Sequence, residues 1–125
     1  MIRGIGIDIV HIERIERAIK RYGELFLNRV FTKSEKEYCS GKTRSLESYA
    51  ARFAVKEAAF KALGRGWSEC GGFKSVEVYE DEHNRPFIKF HNMAERLSKE
   101  SNVKNVYISI SHDAGISAAV VIFEV

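Results

Sequence analysis

Gly4-Ile5-Gly6-Ile7-Asp8 alternates in character, so an extended chain puts Asp8 and the two glycines on one face and the isoleucines on the other. A carboxylate flanked by bare backbone leaves space for a large ligand or a metal. The everyday alternative is an Asp at a strand end that caps the next helix, with the glycines easing helix–sheet packing. Local sequence favours that alternative. A second group lies in Arg52-Phe53-Ala54-Val55-Lys56-Glu57-Ala58-Ala59-Phe60-Lys61-Ala62-Leu63-Gly64, whose apolar residues cover most of a helix circumference. Charges set in such surroundings must be paired or must face a polar ligand. Glu57 and Lys61 are four apart and share a face that Gly64 continues, so an ordinary i,i+4 ion pair competes with a ligand site. Two carboxylates and a lysine suit a phosphate ester: the carboxylates can hold a hard cation such as Mg²⁺, and the lysine offsets charge on a leaving phosphate.

Two further groups carry chemistry. In Tyr107-Ile108-Ser109-Ile110-Ser111-His112-Asp113 the apolar row ends on His112, while Ser109 and Ser111 face the other way. A histidine so placed is more often a packed residue than a reactive one, yet it can contact a phosphate or position a proton. Arg14, Arg17 and Arg21 recur at i, i+3 and i+7, opposite Ile12, Ile15 and Ile19. Glu13–Arg17 and Glu16–Lys20 make a solvated salt-bridged face the commoner explanation, and an arginine stripe for an acidic helical partner the functional one.

The elements that must position these residues follow from periodicity. A strand is predicted over 2–10, then a helix ending at Gly23, and a short helix opened by a capping box at Ser34-Glu35-Lys36-Glu37. The alanine-rich helix runs from Glu47 to Leu63 and Gly64 closes it. Strands over 74–80 and 86–91 flank a turn, Asn92 with Glu95 caps a helix to about Glu100, and strands over 106–112 and 117–125 form a hairpin over Asp113-Ala114-Gly115. This pattern predicts one α+β domain over 1–125 with a mostly antiparallel sheet.

Composition narrows the classes. The 125 residues carry 20 Lys and Arg against 17 Asp and Glu, a net charge of +3, too mild to announce a nucleic-acid binder but suited to an anionic ligand. Cys39 and Cys70 lack the CxxC spacing of a zinc site and read as free thiols of a reducing compartment. No run is long and apolar enough for a signal peptide or a membrane span, and a cytoplasmic protein is expected. GxxxxGK[ST] is missing, which excludes a P-loop protein.

The ordered set is more specific than its parts. Gly4-Ile5-Gly6-Ile7-Asp8, Arg29-Val30-Phe31-Thr32-Lys33-Ser34-Glu35, Phe53-Ala54-Val55-Lys56-Glu57-Ala58 with Lys61-Ala62-Leu63-Gly64-Arg65-Gly66, and Ser109-Ile110-Ser111-His112 together resemble the bacterial holo-(acyl-carrier-protein) synthase family. The resemblance runs from residue 2 to the last strand. It implies transfer of 4′-phosphopantetheine from coenzyme A to a serine of an apo acyl carrier protein, in fatty acid biosynthesis, with release of adenosine 3′,5′-bisphosphate. It further implies that Asp8 and Glu57 bind Mg²⁺, that Lys61 contacts the phosphates, and that Glu57, or a water held beside Asp8, is the base. Arg52, Lys56, Gly64, Gly66 and Pro86 would line the coenzyme A cleft, with Ser111 and His112 near the nucleotide's phosphate end. Arg14, Arg17 and Arg21 would dock the carrier. Short members of this family form homotrimers with sites between subunits, so His112, Arg52 and Pro86 would come from a neighbour. Two positions depart from the family pattern: Asn84 stands where glycine is usual, and Ile116 where an aromatic is frequent. Asn84 can keep the turn, because asparagine tolerates left-handed backbone. The competing readings are a non-catalytic basic nucleic-acid module, which gives Asp8 and Glu57 no role, and a metal-dependent nucleotide pyrophosphohydrolase using the same carboxylates.

Overall fold

Three antiparallel strands and one long helix make the frame. The computed structural model describes residues 1–125. Strand β1 (Ile2–His11) leads into helix α1 (Ile12–Tyr22), followed by α2 (Glu24–Val30), α3 (Lys33–Ser40) and the long α4 (Ser45–Leu63). A single 3₁₀ turn (Phe73–Ser75) opens the hairpin of β2 (Val76–Glu80) and β3 (Pro86–Phe90). Helix α5 (Asn92–Glu100) and the hairpin of β4 (Asn105–Asp113) and β5 (Ile116–Glu124) complete the chain. The main sheet has the order β1-β5-β4, and β2 with β3 forms a separate two-stranded sheet. All pairings are antiparallel, as the α+β reading expects.

Register decides which side chains meet α4. Gly4, Gly6, Asp8 and Val10 lie opposite Phe123, Val121, Ala119 and Ser117, and these in turn oppose Val106, Ile108, Ile110 and His112. This inner face packs on α4, and Val10, Ala119, Val121 and Phe123 join Phe53, Ala54, Ala58 and Ala59 in the core. The outer face carries Ile5, Ile7 and Ile9 and is not covered by any helix of the chain; these isoleucines are 59%, 56% and 60% exposed.

Several local expectations need correction. The capping box belongs to Thr32, not Ser34: the Thr32 hydroxyl accepts from the Glu35 amide at 3.3 Å, and the Glu35 carboxylate accepts from the Thr32 amide at 2.8 Å. Gly23 does end α1, but its φ of 56° also starts α2 at once, a helix too short for periodicity to reveal. Asn92 is not a side-chain cap; it takes a left-handed φ of 52°, and His91 holds the N-cap position by its backbone. The last hairpin turns on Ala114-Gly115 alone, both at positive φ, while Asp113 remains in the strand. Asn84 takes φ 60°, as the glycine-to-asparagine departure requires.

Candidate active site

The close approach of α4 to β1 builds the site. A Cβ at Gly6 would overlap the Ala58 carbonyl oxygen, and one at Gly4 the Ala62 carbonyl oxygen. The glycines therefore serve helix–sheet packing, the everyday alternative for them, and the small alanines of α4 complete that contact. Two consequences follow from bringing the backbones this near. Lys61 donates from Nζ to the Ile7 carbonyl at 2.8 Å and to Asp8 Oδ1 at 3.3 Å. Its ion-pair partner is thus Asp8 across the contact, rather than Glu57 one turn back on its own helix. Glu57 is set beside the same pair, and burial, then the Asp8 charge, push its carboxyl above the ordinary 4.5, against the opposing charges of Lys61 and Arg14.

That repulsion is the feature a cation would relieve. Asp8 and Glu57 offer hard oxygen donors, and no third His, Cys, Asp or Glu joins them to close a shell. Such a set fits Mg²⁺, which keeps waters and phosphate oxygens among its ligands rather than sitting in an all-protein cage. A cavity of about 280 Å³ adjoins the site, lined by Glu57, Phe60, Lys61, Gly64, Arg65, Gly66 and Trp67. Gly64 takes φ 76° as the helix C-cap, and neither Gly64 nor Gly66 has any atom within 4 Å of where a Cβ would stand. Their lack of side chains keeps this end of the cleft open. At the other end, the Arg14 guanidinium lies 5.5 Å from the centre of the Phe53 ring. Arg17 and Arg21 continue along the exposed side of α1, with Arg21 over Tyr22.

Not every predicted site residue meets this group. Lys56 faces away from the cleft and is fully buried, which corrects its expected place there. Its Nζ donates to Glu35 at 2.8 Å, to the Val76 carbonyl at 2.5 Å and to the Phe73 carbonyl at 3.2 Å, using all three protons. Burial pulls its pKa below the usual lysine value, against the pull of Glu35. Arg52 is likewise committed: its guanidinium makes a bidentate pair with Glu80 and stacks over Tyr38 at 4.0 Å. Glu80 pairs with Pro86 in the β2–β3 ladder, so Arg52 steadies the strand end that carries Pro86. Ser111 lies exposed on the outer face and His112 at the inner edge of β4, opposite Ser117. Since β5 separates β4 from β1, His112 is two strand spacings, about 10 Å, from the β1 row that holds Asp8. Within one chain the structure brings together Asp8, Glu57, Lys61, Gly64 and Gly66, with Arg14 at their border. It leaves Pro86, Ser111 and His112 elsewhere.

Sequence reading missed the carboxylates that answer these cations. Glu35 holds Lys56 and also accepts from the Val78 amide at 2.9 Å. Glu77 accepts from Thr32 and Tyr79 at 2.5 Å each, and from Ser34 and His91 at 2.7 Å each. Burial alone would raise its pKa, but these four bonds hold it at about 2. No local spacing announces partners 43 and 45 residues apart. Trp67 was also passed over, although a large aromatic directly after a Gly-Arg-Gly turn is a visible signal.

Comparison with known proteins gives the family. The family model described as "4′-phosphopantetheinyl transferase superfamily" matches residues 4–121. A holo-[acyl-carrier-protein] synthase of Halothermothrix orenii is 45% identical over 124 residues, covering 99% of this chain and 98% of the relative. One from Geobacter sp. (strain M21) is 41% identical with 99% of both chains covered. Among solved structures, holo-[acyl-carrier-protein] synthase of Neisseria meningitidis superposes with a TM-score of 0.91 at 31% identity, covering 99% of each chain. That of Helicobacter pylori, in complex with coenzyme A, gives 0.84 at 38% identity, covering 96% of this chain and 99% of that one.

Proposed function

Because the chain belongs to the 4′-phosphopantetheinyl transferase superfamily, we propose that it moves 4′-phosphopantetheine from coenzyme A to a serine of an apo acyl carrier protein, releasing adenosine 3′,5′-bisphosphate, in fatty acid biosynthesis. The observation that carries the reading is the meeting of Asp8, Glu57 and Lys61 across the β1–α4 contact, beside an open cavity.

The serine oxygen of the carrier attacks the β-phosphorus of coenzyme A. The bond from that phosphorus to the bridging oxygen breaks, and the nucleotide leaves with that oxygen. Glu57, whose carboxyl is held above its ordinary value by burial and by Asp8, takes the hydroxyl proton on a carboxylate oxygen. Lys61, paired with Asp8, supplies the ammonium that offsets charge on the phosphates. Asp8 and Glu57 would hold Mg²⁺, which when bound supplies charge neutralisation for the pyrophosphate. No covalent enzyme intermediate is needed, because positioning and electrostatics account for the step. The exposed Arg17 and Arg21, with Arg14 at the site's edge, dock the acidic carrier so that its serine arrives next to Glu57.

The uncovered isoleucine face supports a homotrimer, in which a neighbouring copy brings His112, Arg52 and Pro86 to the cleft. No helix of the chain is long and apolar enough to cross a membrane. Free, buried Cys39 and Cys70 suit a reducing cytoplasm.

Intact-mass spectrometry tests the proposal directly. Protein, coenzyme A, Mg²⁺ and an apo carrier protein should yield a carrier heavier by one phosphopantetheine, and a chelator should abolish the shift. Coenzyme A cleaved with no carrier present would instead identify a pyrophosphohydrolase.

A further inference from the structure

We propose that the buried Lys56–Glu35 pair is a positioning device for the reaction: it fixes the roll of α4 about its own axis and so aims Glu57 at Asp8. The inference rests on the transferase reading and adds to it a pair of residues that act from behind the cleft. Both side chains are wholly shut off from solvent. Groups of this kind are almost never buried unless fully partnered, and these two are. The three Nζ protons of Lys56 go to Glu35, to the Phe73 carbonyl and to the Val76 carbonyl. The Glu35 carboxylate accepts in addition from the Thr32 and Val78 amides. Thr32 caps α3, Phe73 begins the 3₁₀ turn, and Val76 and Val78 belong to β2. One side chain of α4 is therefore tied, by bonds that depend on direction, to three separate segments of the fold.

The other side of α4 explains why such a hold is needed. There the helix meets β1 at Gly4 and Gly6, with the backbone of Ala58 and Ala62 against them. Backbone on backbone sets how near strand and helix come, but it offers no large side chains to interlock and stop the helix from rolling. Elsewhere α4 is held by apolar burial, which has no preferred direction. Lys56 directly precedes Glu57, so pinning the one fixes where the other points. With side-chain ends about 5–6 Å from the helix axis, a roll of about 10° moves the Glu57 carboxylate by about 1 Å. A misplacement of that size can cost a positioned reaction about 100-fold. The reach of Lys61 to Asp8 and to the Ile7 carbonyl depends on the same roll. Stability does not account for the pair. Desolvating two charges offsets their attraction, and apolar residues of similar volume would fill the space about as well.

Full-length wild type, Lys56→Met and the double variant Lys56→Met/Glu35→Gln separate placement from folding. Lys56→Met leaves the Glu35 carboxylate buried without its cation, so its melting temperature should fall by about 10 °C or more. The amide of the double variant removes that charge and should restore at least about half of the loss. Turnover should not return with it. Measured with coenzyme A, Mg²⁺ and an apo carrier protein well below the melting temperature, kcat should stay about 10- to 100-fold below wild type. The Michaelis constant for the carrier, set by the arginines of α1, should stay within about twofold. Lys56→Leu in the Glu35→Gln background gives a second apolar filling with the same expectation. Recovery of stability and turnover together overturns the proposal, since the pair then serves folding alone. A Michaelis constant that rises as far as kcat falls overturns it too, by reporting a general loosening. A crystal structure of the double variant reads the geometry without any reaction: the Glu57 carboxylate should lie about 1 Å or more from its wild-type place. An unmoved carboxylate overturns the proposal whatever kcat does. The two readings thus fail separately. A wild type that transfers nothing removes the transferase reading, while the place of Glu57 still decides what the buried pair does.

Discussion

Glu57 combines a cost and a use in one side chain. Its carboxyl is raised by burial and by Asp8, so the native protein keeps a proton over a pH range where the unfolded chain has already lost it. Protons bound in excess by the native state mean that stability falls as pH climbs from the ordinary 4.5 through the raised value, and the whole penalty is present above that. Glu57→Gln should therefore raise the melting temperature at neutral pH in the presence of a chelator. The gain should vanish below the ordinary carboxylate range, and thermal melts across pH would check it. The same substitution should lower phosphopantetheine transfer at least about 100-fold, since it removes both the base and a carboxylate ligand. A variant less stable at every pH would show that Asp8 and Glu57 do not strain one another. Asp8, Glu57 and Lys61 were legible in the sequence because charges inside an alanine-rich helix and a carboxylate beside glycines both demand a reason. Lys56 and Arg52 raised the same demand and met it differently. Their partners Glu35 and Glu80 lie 21 and 28 residues away, a pairing that only the tertiary fold creates.

Among the elements, the contact of β1 with α4 carries the most consequence for chemistry. It has no side chains at Gly4 and Gly6, so its spacing is set by backbone touching backbone. Gly6→Ala must force strand and helix apart, at about 2–4 kcal/mol, which corresponds to a melting temperature roughly 10 °C lower. Because Lys61 reaches Asp8 and the Ile7 carbonyl only across this contact, transfer activity measured well below the melting temperature should fall further than the loss of folded protein explains. Gly66→Ala is the matched control for stability: it lies at an ordinary φ with open space around it, and its melting temperature should stay within about 2 °C of wild type. Equal effects of the two substitutions would mean that α4 can shift on the sheet without strain. Element type and order were largely readable, since the period of two in β1 and the run of alanines in α4 are strong patterns. Helix α2 and the true cap at Thr32 were not. A seven-residue helix shows too few turns for a period, and Thr32 and Ser34 offer equivalent capping chemistry until the Glu35 carboxylate is seen to reach back to the Thr32 amide.

At the scale of the whole molecule, one sheet face has no partner within the chain. Ile5, Ile7 and Ile9 of β1 run alongside Val120 and Ile122 of β5, and beyond these lie Tyr107, Ser109 and Ser111 of β4. A contiguous apolar surface of this kind marks an interface more often than a solvated face, and copies of one chain meeting on it would form a closed, symmetric assembly. The positions of Pro86, Ser111 and His112 argue the same way. They sit apart from Asp8 in a single chain, yet the family resemblance gives them to the same cleft, and a neighbouring copy reconciles the two. Ile7→Glu tests both claims at once. The side chain is 56% exposed in the isolated fold, so a charge there should leave the circular dichroism of the monomer intact, while burying three copies at a shared axis would be prohibitive. Light scattering should then report the mass of one chain where the proposed wild-type trimer would give three, and transfer should fall at least about tenfold, with adenosine 3′,5′-bisphosphate binding weakened in parallel. A monomeric variant that retains full activity would place the whole site within one chain and return Ser111 and His112 to the surface. A variant that stays trimeric would mean that the copies meet elsewhere, leaving the isoleucine face to be covered by something other than this protein.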